Sequence, residues 1–406
     1  MQKTQRFASI LILTVILAAC TRKQGFRAGE ELMLSDTGKI ASCTHIAHDA
    51  AGRLIVSWVE QEPGSDEGAL WYAVSVDGGA TFGKAVAVTS ATGISPQPEN
   101  MPKIIFKANG EAIAMYGTRN PDPRNKYAGK VWYTRSADGG QTWQQAVPLV
   151  TDTAGYDQRY FDLSPLPSGD VAAVWLDNRK DHALEGSTLY ISTSGAGGFE
   201  RQRPLVQTVC QCCRTSLYTD PQGGLHVAFR DIIHDTIRDM VHIYSKDGGE
   251  TFTQPIRISA DNWAVNGCPH TGPTMTSNRG GLHFAWFTMG GGQGVFYGKS
   301  INNGISFSGR ESISAKPTAK HPQIAATVGG DLLLAWDEPA DTVTHRIGFL
   351  RKSPEGVTLA SGFLTGEGEQ SVFPVMRPVA EKTVAVAYRK RAGGKEVICV
   401  RRVDWD

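Results

Sequence analysis

Apolar and polar positions alternate with a period of two along most of the chain beyond residue 30, and no long amphipathic helical stretch interrupts them. One series of alternating runs reads LWYAVSV, VWYTRSA, LYISTSG, VHIYSKD, VFYGKSI and RIGFLRK. A second series, richer in aromatic and aliphatic residues, stands upstream of these: LIVSWVE, AIAMYGT, VAAVWLD, LHVAFRD, LHFAWFT and LLLAWDE. A seventh member, VAVAYRK at 384, is followed by one further strand, EVICVRR. Successive side chains of a strand point to opposite faces, so the pattern predicts sheets of short strands joined by hairpins. Forty-five glycines and twenty prolines supply the turns.

The first series runs into a repeated octet: SVDGGATF at 75, SADGGQTW at 136 and SKDGGETF at 245. Its spacing has a physical basis. Ser and Asp accept hydrogen bonds from the turn's own backbone, glycine supplies a positive φ, and the aromatic packs beneath. Degenerate copies, STSGAGGF at 192, SINNGISF at 300 and SPEGVTL at 353, fill the gaps, so the octets recur every 53 to 61 residues. A period of this size marks a repeat architecture.

The octet resembles the Asp box, S-x-D-x-G-x-T-[FW], of the BNR repeats in sialidase-type β-propellers. The resemblance covers nearly the whole chain after the N-terminal leader. It implies an all-β fold, a single β-propeller of four-stranded blades spanning residues 30–406. In that family the boxes are structural and lie opposite the active site, so Asp77, Asp138 and Asp247 are not expected to be catalytic. Sialidases have six blades. Here residues 26–406 divide into seven units of about 54 residues, where six would need about 63. Seven blades are expected, with six as the alternative. The seventh unit lacks an outer strand, which EELMLSD at 30–36 would supply, pairing the two chain ends and covering a sheet edge.

The N-terminus changes the compartment. Lys3 and Arg6 precede an apolar run from Phe7 to Leu17, too short to span a bilayer, which takes roughly 20 residues. Residues 1–19 therefore read as a signal peptide. The LAAC ending resembles a lipobox, which implies cleavage before Cys20, a lipid on its sulfur, and residues 20–29 as a linker to the membrane. Thr21, rather than Asp, then implies the outer membrane in a Gram-negative cell, facing the periplasm or the exterior. The chain carries 41 Lys and Arg against 40 Asp and Glu, with no basic stripe, so nucleic acid is not an expected partner.

Export to an oxidising space gives the remaining six cysteines meaning. VCQCCRTS places Cys210, Cys212 and Cys213 at the start of the fourth unit's first strand, and GCPHTGP places Cys268 and His270 at the same point of the fifth. First strands of consecutive propeller blades are neighbours, so the two motifs should meet at the channel mouth. One reading is a disulfide from Cys268 to one of the three, since vicinal Cys212 and Cys213 pair poorly. The other is a soft metal site for copper(I) or zinc, built from thiolates and an imidazole. If the stretch is extended, alternation sends Cys210 and Cys212 to one side and Cys213 to the other; a turn would lift that limit. Cys43, His45, Met101 and His321 stand at comparable positions and read as packing residues, and Cys399 as a buried strand thiol.

The sialidase resemblance also implies a chemistry: three arginines clamping a carboxylate, a tyrosine nucleophile paired with a glutamate, and an aspartate acid/base. The family's first arginine lies in a Phe-Arg-Ile-Pro motif, and this chain has SCTHIAH there. Arg159, Arg214 and Arg377, with Tyr160 and Asp162, would form a substitute catalytic set, but no glutamate presents itself to the tyrosine. CQCC and W-x-x-x-GCP-x-x-GP are similar to segments of uncharacterised exported bacterial propellers. The expected function is a lipid-anchored envelope binding protein whose Cys/His site takes a metal or a partner protein. An exo-acting glycosidase with a glycan ligand, and a disulfide-stiffened scaffold of an envelope complex, are the alternatives.

Overall fold

The computed structural model describes residues 25–152, 155–179 and 185–406; the leader and Cys20 lie outside them. The described chain is almost wholly β. Its strands fall into consecutive four-stranded antiparallel units. Unit 1 is Ile40–His48, Leu54–Gln61, Gly68–Ser75 and Val86–Ala87, and unit 2 is Lys103–Phe106, Ala112–Arg119, Gly129–Ser136 and Val147–Pro148. Unit 3 is Gln158–Pro165, Val171–Asp177, Ser187–Thr193 and Arg203–Val209, and unit 4 is Ser216–Thr219, Leu225–Ile233, Ile237–Ser245 and Ile256–Arg257. Unit 5 is Thr274–Asn278, Gly281–Thr288, Gly294–Ser300 and Glu311–Ser312, and unit 6 is Lys320–Ala326, Leu332–Pro339, His345–Lys352 and Thr358–Phe363. Unit 7 has Gln370–Ala380, Thr383–Ala392 and Lys395–Asp404.

The N-terminal strands Arg27–Ala28 and Leu32–Met33 add to the last strand of unit 7, with Arg27 opposite Asp404 and Leu32 opposite Val400. Lys390 ties this segment down by donating from Nζ to Glu31 at 2.7 Å. Phe26 is buried against the ring of Phe349 in unit 6.

The second strand of each unit is apolar on both faces because it is packed on both faces. Trp58, Trp175 and Trp286 are fully buried there. The core is divided into layers between units. One cluster joins Ile55 and Tyr72 of unit 1 to Phe106 and Tyr116 of unit 2. Another joins Ala385 and Val400 of unit 7 to Val56 and Trp58 of unit 1. A cavity of about 260 Å³ is lined from every unit, by His45, Lys103, Asp162, Leu217, Met275, Gln323 and Val375.

The two ends of the units differ. In unit 1, His48 pairs with Leu54 and Leu54 with Ser75, so the end of the first strand and the start of the Asp box share one end. There Asp77 accepts hydrogen bonds from the Thr81 amide at 2.9 Å and the Thr81 hydroxyl at 2.6 Å, and Ser75 Oγ accepts from the Gly79 amide at 2.7 Å. Asp138 and Asp247 repeat the arrangement, and in the degenerate unit 5 copy Asn302 substitutes for the aspartate. These bonds hold the three carboxyls well below the usual carboxylate range. Gly79 sits at φ 87°, which a side chain would strain.

At the opposite end, the mouth, the first strands of units 1, 3, 6 and 7 begin with a bulge. Cys43, Tyr160, His321 and Phe373 take positive φ of 51° to 59°, each inside a register shift of its strand. Left-handed non-glycine residues are costly and gather where surrounding packing holds them.

Candidate functional site

The outer strand of unit 3 ends at Val209, which pairs with Asp231 of unit 4, and the chain crosses between units at the mouth. The Cys210 amide donates to Arg230 O at 2.9 Å, and the chain then turns instead of extending. The turn lifts the limit that alternation would set and folds all three sulfurs inward against Ile232. Cys210 Sγ lies 3.4 Å from Cys212 Sγ and 4.0 Å from Cys213 Sγ, and the three sulfurs lie within 4.8 Å of one another. All three residues are buried.

Two guanidinium groups stand behind the cluster. Arg238 Nη1 donates to Cys210 Sγ at 3.4 Å, while its Nη2 pairs with Glu185 at 2.7 Å. Arg230 donates to the carbonyls of Arg238 at 2.9 Å and Phe287 at 2.8 Å. The Cys210 thiol is held low because Cys212 and Cys213 hydrogen-bond to it, with Arg238 adding to the effect against the cost of burial. Cys212 is pushed up, because its proton serves the bond to Cys210. Three thiolates at about 2.3 Å from a trigonal ion would stand about 4.0 Å apart, so an ion could enter with little movement of the sulfurs.

Cys212 and Gln211 also line a mouth cavity of about 910 Å³, together with Arg159, Tyr127, Cys268 and His270. The Gln211 side-chain oxygen is buried and has no hydrogen-bond partner among the described residues. Cys268 and His270 are exposed and stand outside the three-sulfur group. Of the two readings of the cysteines, the disulfide from Cys268 is not formed: all six described cysteines are free. The reason is local. The turn carries the three sulfurs into the interior of unit 4, whereas Cys268 stays on a solvent-facing loop.

Of the substitute sialidase set, Asp162, Arg214 and Arg377 line the channel cavity together, while Arg159 and Tyr160 stand apart from it. Arg159 is ion-paired with Asp157 and lines the mouth cavity. Arg214 is buried at the wall of the channel cavity, donating to Glu99 Oε1 at 2.7 Å and to the carbonyls of Gly272 and Pro322 at 3.3 Å. Arg377 lines the channel cavity with Arg214. Tyr160 is buried, its hydroxyl accepts from Gln97 Nε2 at 2.9 Å, and burial pushes its pKa up, against the need of a nucleophile. Asp162 is engaged by the amides of Leu163 and Leu217, both at 2.8 Å, and by Lys103 at 3.0 Å. Of the remaining mouth residues, His45 and Met101 line the channel, Cys43 enters the core, and His321 is bound to Asp337 at 2.6 Å.

Sequence reasoning missed Arg230, Arg238 and Glu99. The signal for the first two was an Arg-Asp pair inside each strand of one apolar hairpin, LHVAFRDII and IRDMVHIYS. Glu99 carried none, because its partner lies 115 positions away.

Residues 52–268 match the family model described as a BNR repeat-like domain, which is more than half of the chain. The chain belongs to the BNR repeat-like family. Solved structures agree at the level of fold. The BNR repeat-like protein is similar to a protein of unknown function from Dyadobacter fermentans (12% identity, TM-score 0.56), over 94% of this chain and 100% of that one. It is similar to the polysaccharide lyase Uly1 (13%, 0.57), over 97% and 94%. It is also similar to Trypanosoma rangeli sialidase in complex with 2,3-difluorosialic acid (12%, 0.53), over 93% of this chain but only 59% of that one. A comparison with curated proteins finds no match. At such identities the likeness speaks for the sialidase-type fold and leaves activity open.

Proposed function

We propose that the BNR repeat-like protein is a metal-binding protein of the cell envelope, holding one copper(I) ion between Cys210, Cys212 and Cys213. The observation that carries this reading is the approach of three buried, unbonded sulfurs to within 4.8 Å of one another beside Arg238. Soft thiolates select copper(I) or zinc, and a three-sulfur set suits copper(I), since zinc asks for a fourth ligand. Binding releases the thiol protons, and the two guanidinium groups offset the negative charge that remains. The mouth cavity, with Cys268 and His270 on its wall, is the path to the ion.

The scaffold in this reading is a propeller of seven blades, closed by the N-terminal strands and supported by the core layer between units 7 and 1. Lipidation at Cys20 would hold it to the membrane. A glycoside hydrolase role draws support from the fold alone.

The test is an anaerobic titration with copper(I) against a chromogenic chelator. One ion should bind, Cys212→Ser or Cys213→Ser should abolish binding, and Cys399→Ser should leave it unchanged. Equal binding by Cys212→Ser, or a native mass lower by two hydrogens from a Cys210–Cys212 disulfide, would overturn the reading.

A further inference from the structure

The Asp-box end carries an uneven distribution of exposed aliphatic side chains. Val76, Ile301, Ile305, Val328 and Val357 are 63% to 98% exposed. They belong to units 1, 5 and 6. The second position of the octet is Val76 in unit 1 and Ile301 in unit 5, but Ala137, Thr193 and Lys246 in units 2, 3 and 4. Isolated exposed aliphatics are ordinary on a protein surface, and Val343 at the mouth is one; within the Asp-box end, their confinement to one sector is not.

The sector is continuous. Asn278 of unit 5 donates to Gly330 O of unit 6 at 2.6 Å. The same turn of unit 6 approaches Glu381 of unit 7, and Gly78 of unit 1 packs on Val379 of unit 7. Unit 7, at the middle of the sector, is where the N-terminal segment joins the sheet. Arg27 pairs with Asp404 at the Asp-box end, and Gly25 lies against Leu359 and Ala360 of unit 6. Charges around the aliphatics are mixed in sign, with Arg279 and Glu355 paired at 3.5 Å, so the sector does not select a polyanion.

The geometry points to a membrane-contacting sector: the Asp-box end of units 5, 6, 7 and 1 lies against a lipid surface, and the mouth with its cysteines faces away from it. The inference draws on the expected lipid at Cys20. That position lies five residue steps before Gly25, a reach of at most about 18 Å, so an anchored chain is held near this sector. Aliphatic side chains at such a surface enter the headgroup boundary and add to the hold of an acyl chain. A strand of eight residues is about 26 Å long, which sets the scale of the distance between mouth and membrane.

Photo-crosslinking in intact cells tests this with the full chain. A benzoylphenylalanine is placed at Val328, at Ile301 or, as control, at Tyr127 on the mouth cavity, and adducts are identified by mass spectrometry. The N-terminal peptide is weighed in the same sample. Phospholipid adducts should form at positions 328 and 301, several-fold above position 127. A lipidated chain without those adducts, or with protein adducts in their place, overturns the sector and keeps the anchor. An unlipidated chain with them supports the sector and overturns the anchor, and an unlipidated chain without them overturns both. Lipid adducts at position 127 equal to those at 328 overturn the orientation.

Discussion

Single side chains at the mouth separate metal binding from folding. Arg238 touches the Cys210 sulfur without being a ligand, so it positions the site and tunes its charge. Arg238→Gln should weaken copper(I) by about 10- to 100-fold, the usual cost of losing a partner behind a ligand. Chelator competition reads this, and Arg238→Lys should recover part of the loss. Glu99 and Arg214 make the opposite case. Their buried pair, closed by the Gly272 amide on Glu99 Oε2 at 2.9 Å, joins units 2, 4, 5 and 6 across the mouth. Arg214→Met alone should cost about 3–5 kcal/mol by stranding a buried carboxylate, and Glu99→Leu with Arg214→Met should regain much of it. Urea unfolding distinguishes the two, and equal losses from the single and double variants would show that packing, not charge, holds the mouth.

Among the elements, the N-terminal strand makes the largest demand on the sequence, since it pairs with the last strand of the chain. Its ring Phe26 sits 4.9 Å from Phe349 and is 6% exposed. Phe26→Ala should destabilise the protein by about 3 kcal/mol, the low end for a buried phenylalanine, because the strand lies at a sheet edge. An unchanged urea midpoint would mean that unit 7 stands without it. The Asp boxes behave differently. Each is satisfied within its own turn, so Asp77→Ala should loosen unit 1 while leaving the sulfur cluster, in unit 4 and at the other end, with unchanged metal affinity.

Across the whole molecule, buried histidines set the response to acid. His242 is held down to about 3 by burial and by His226 beside it at 3.0 Å. His283 is held down to about 4 by burial and by Lys299. The unfolded chain takes up these protons below about pH 6.5 and the folded chain does not, so stability falls as pH drops from there toward 4. Asp177 works in the opposite sense, since burial raises it to about 6 and the folded chain binds that proton first. His45, held down to about 3 by burial and by the charges of Lys103 and Arg377, adds a third loss, so the losses outweigh the single gain and stability falls between pH 6 and 4. Urea midpoints at pH 7, 6, 5 and 4.5 measure it, and a flat profile would refute the assignment.

By itself the sequence determined what depends on local pattern. Period-two alternation gave the strands, the Ser-Asp-Gly-Thr spacing gave turns that satisfy their own hydrogen bonds, and the recurring octet gave the units and the family. The N-terminal partner of unit 7 was legible too, because an unpaired edge has to be covered. Tertiary structure decided what depends on distance across the fold. Whether CQCC is extended or turned rests on the crossing from unit 3 to unit 4, and that turn gathers three sulfurs while leaving Cys268 in solvent. Arg214 and Arg159 sit near the starts of first strands in sequence, yet Glu99 and Asp157 claim them. Pairing of buried charges is settled by which units become neighbours, and side-chain alternation within one strand carries no record of that.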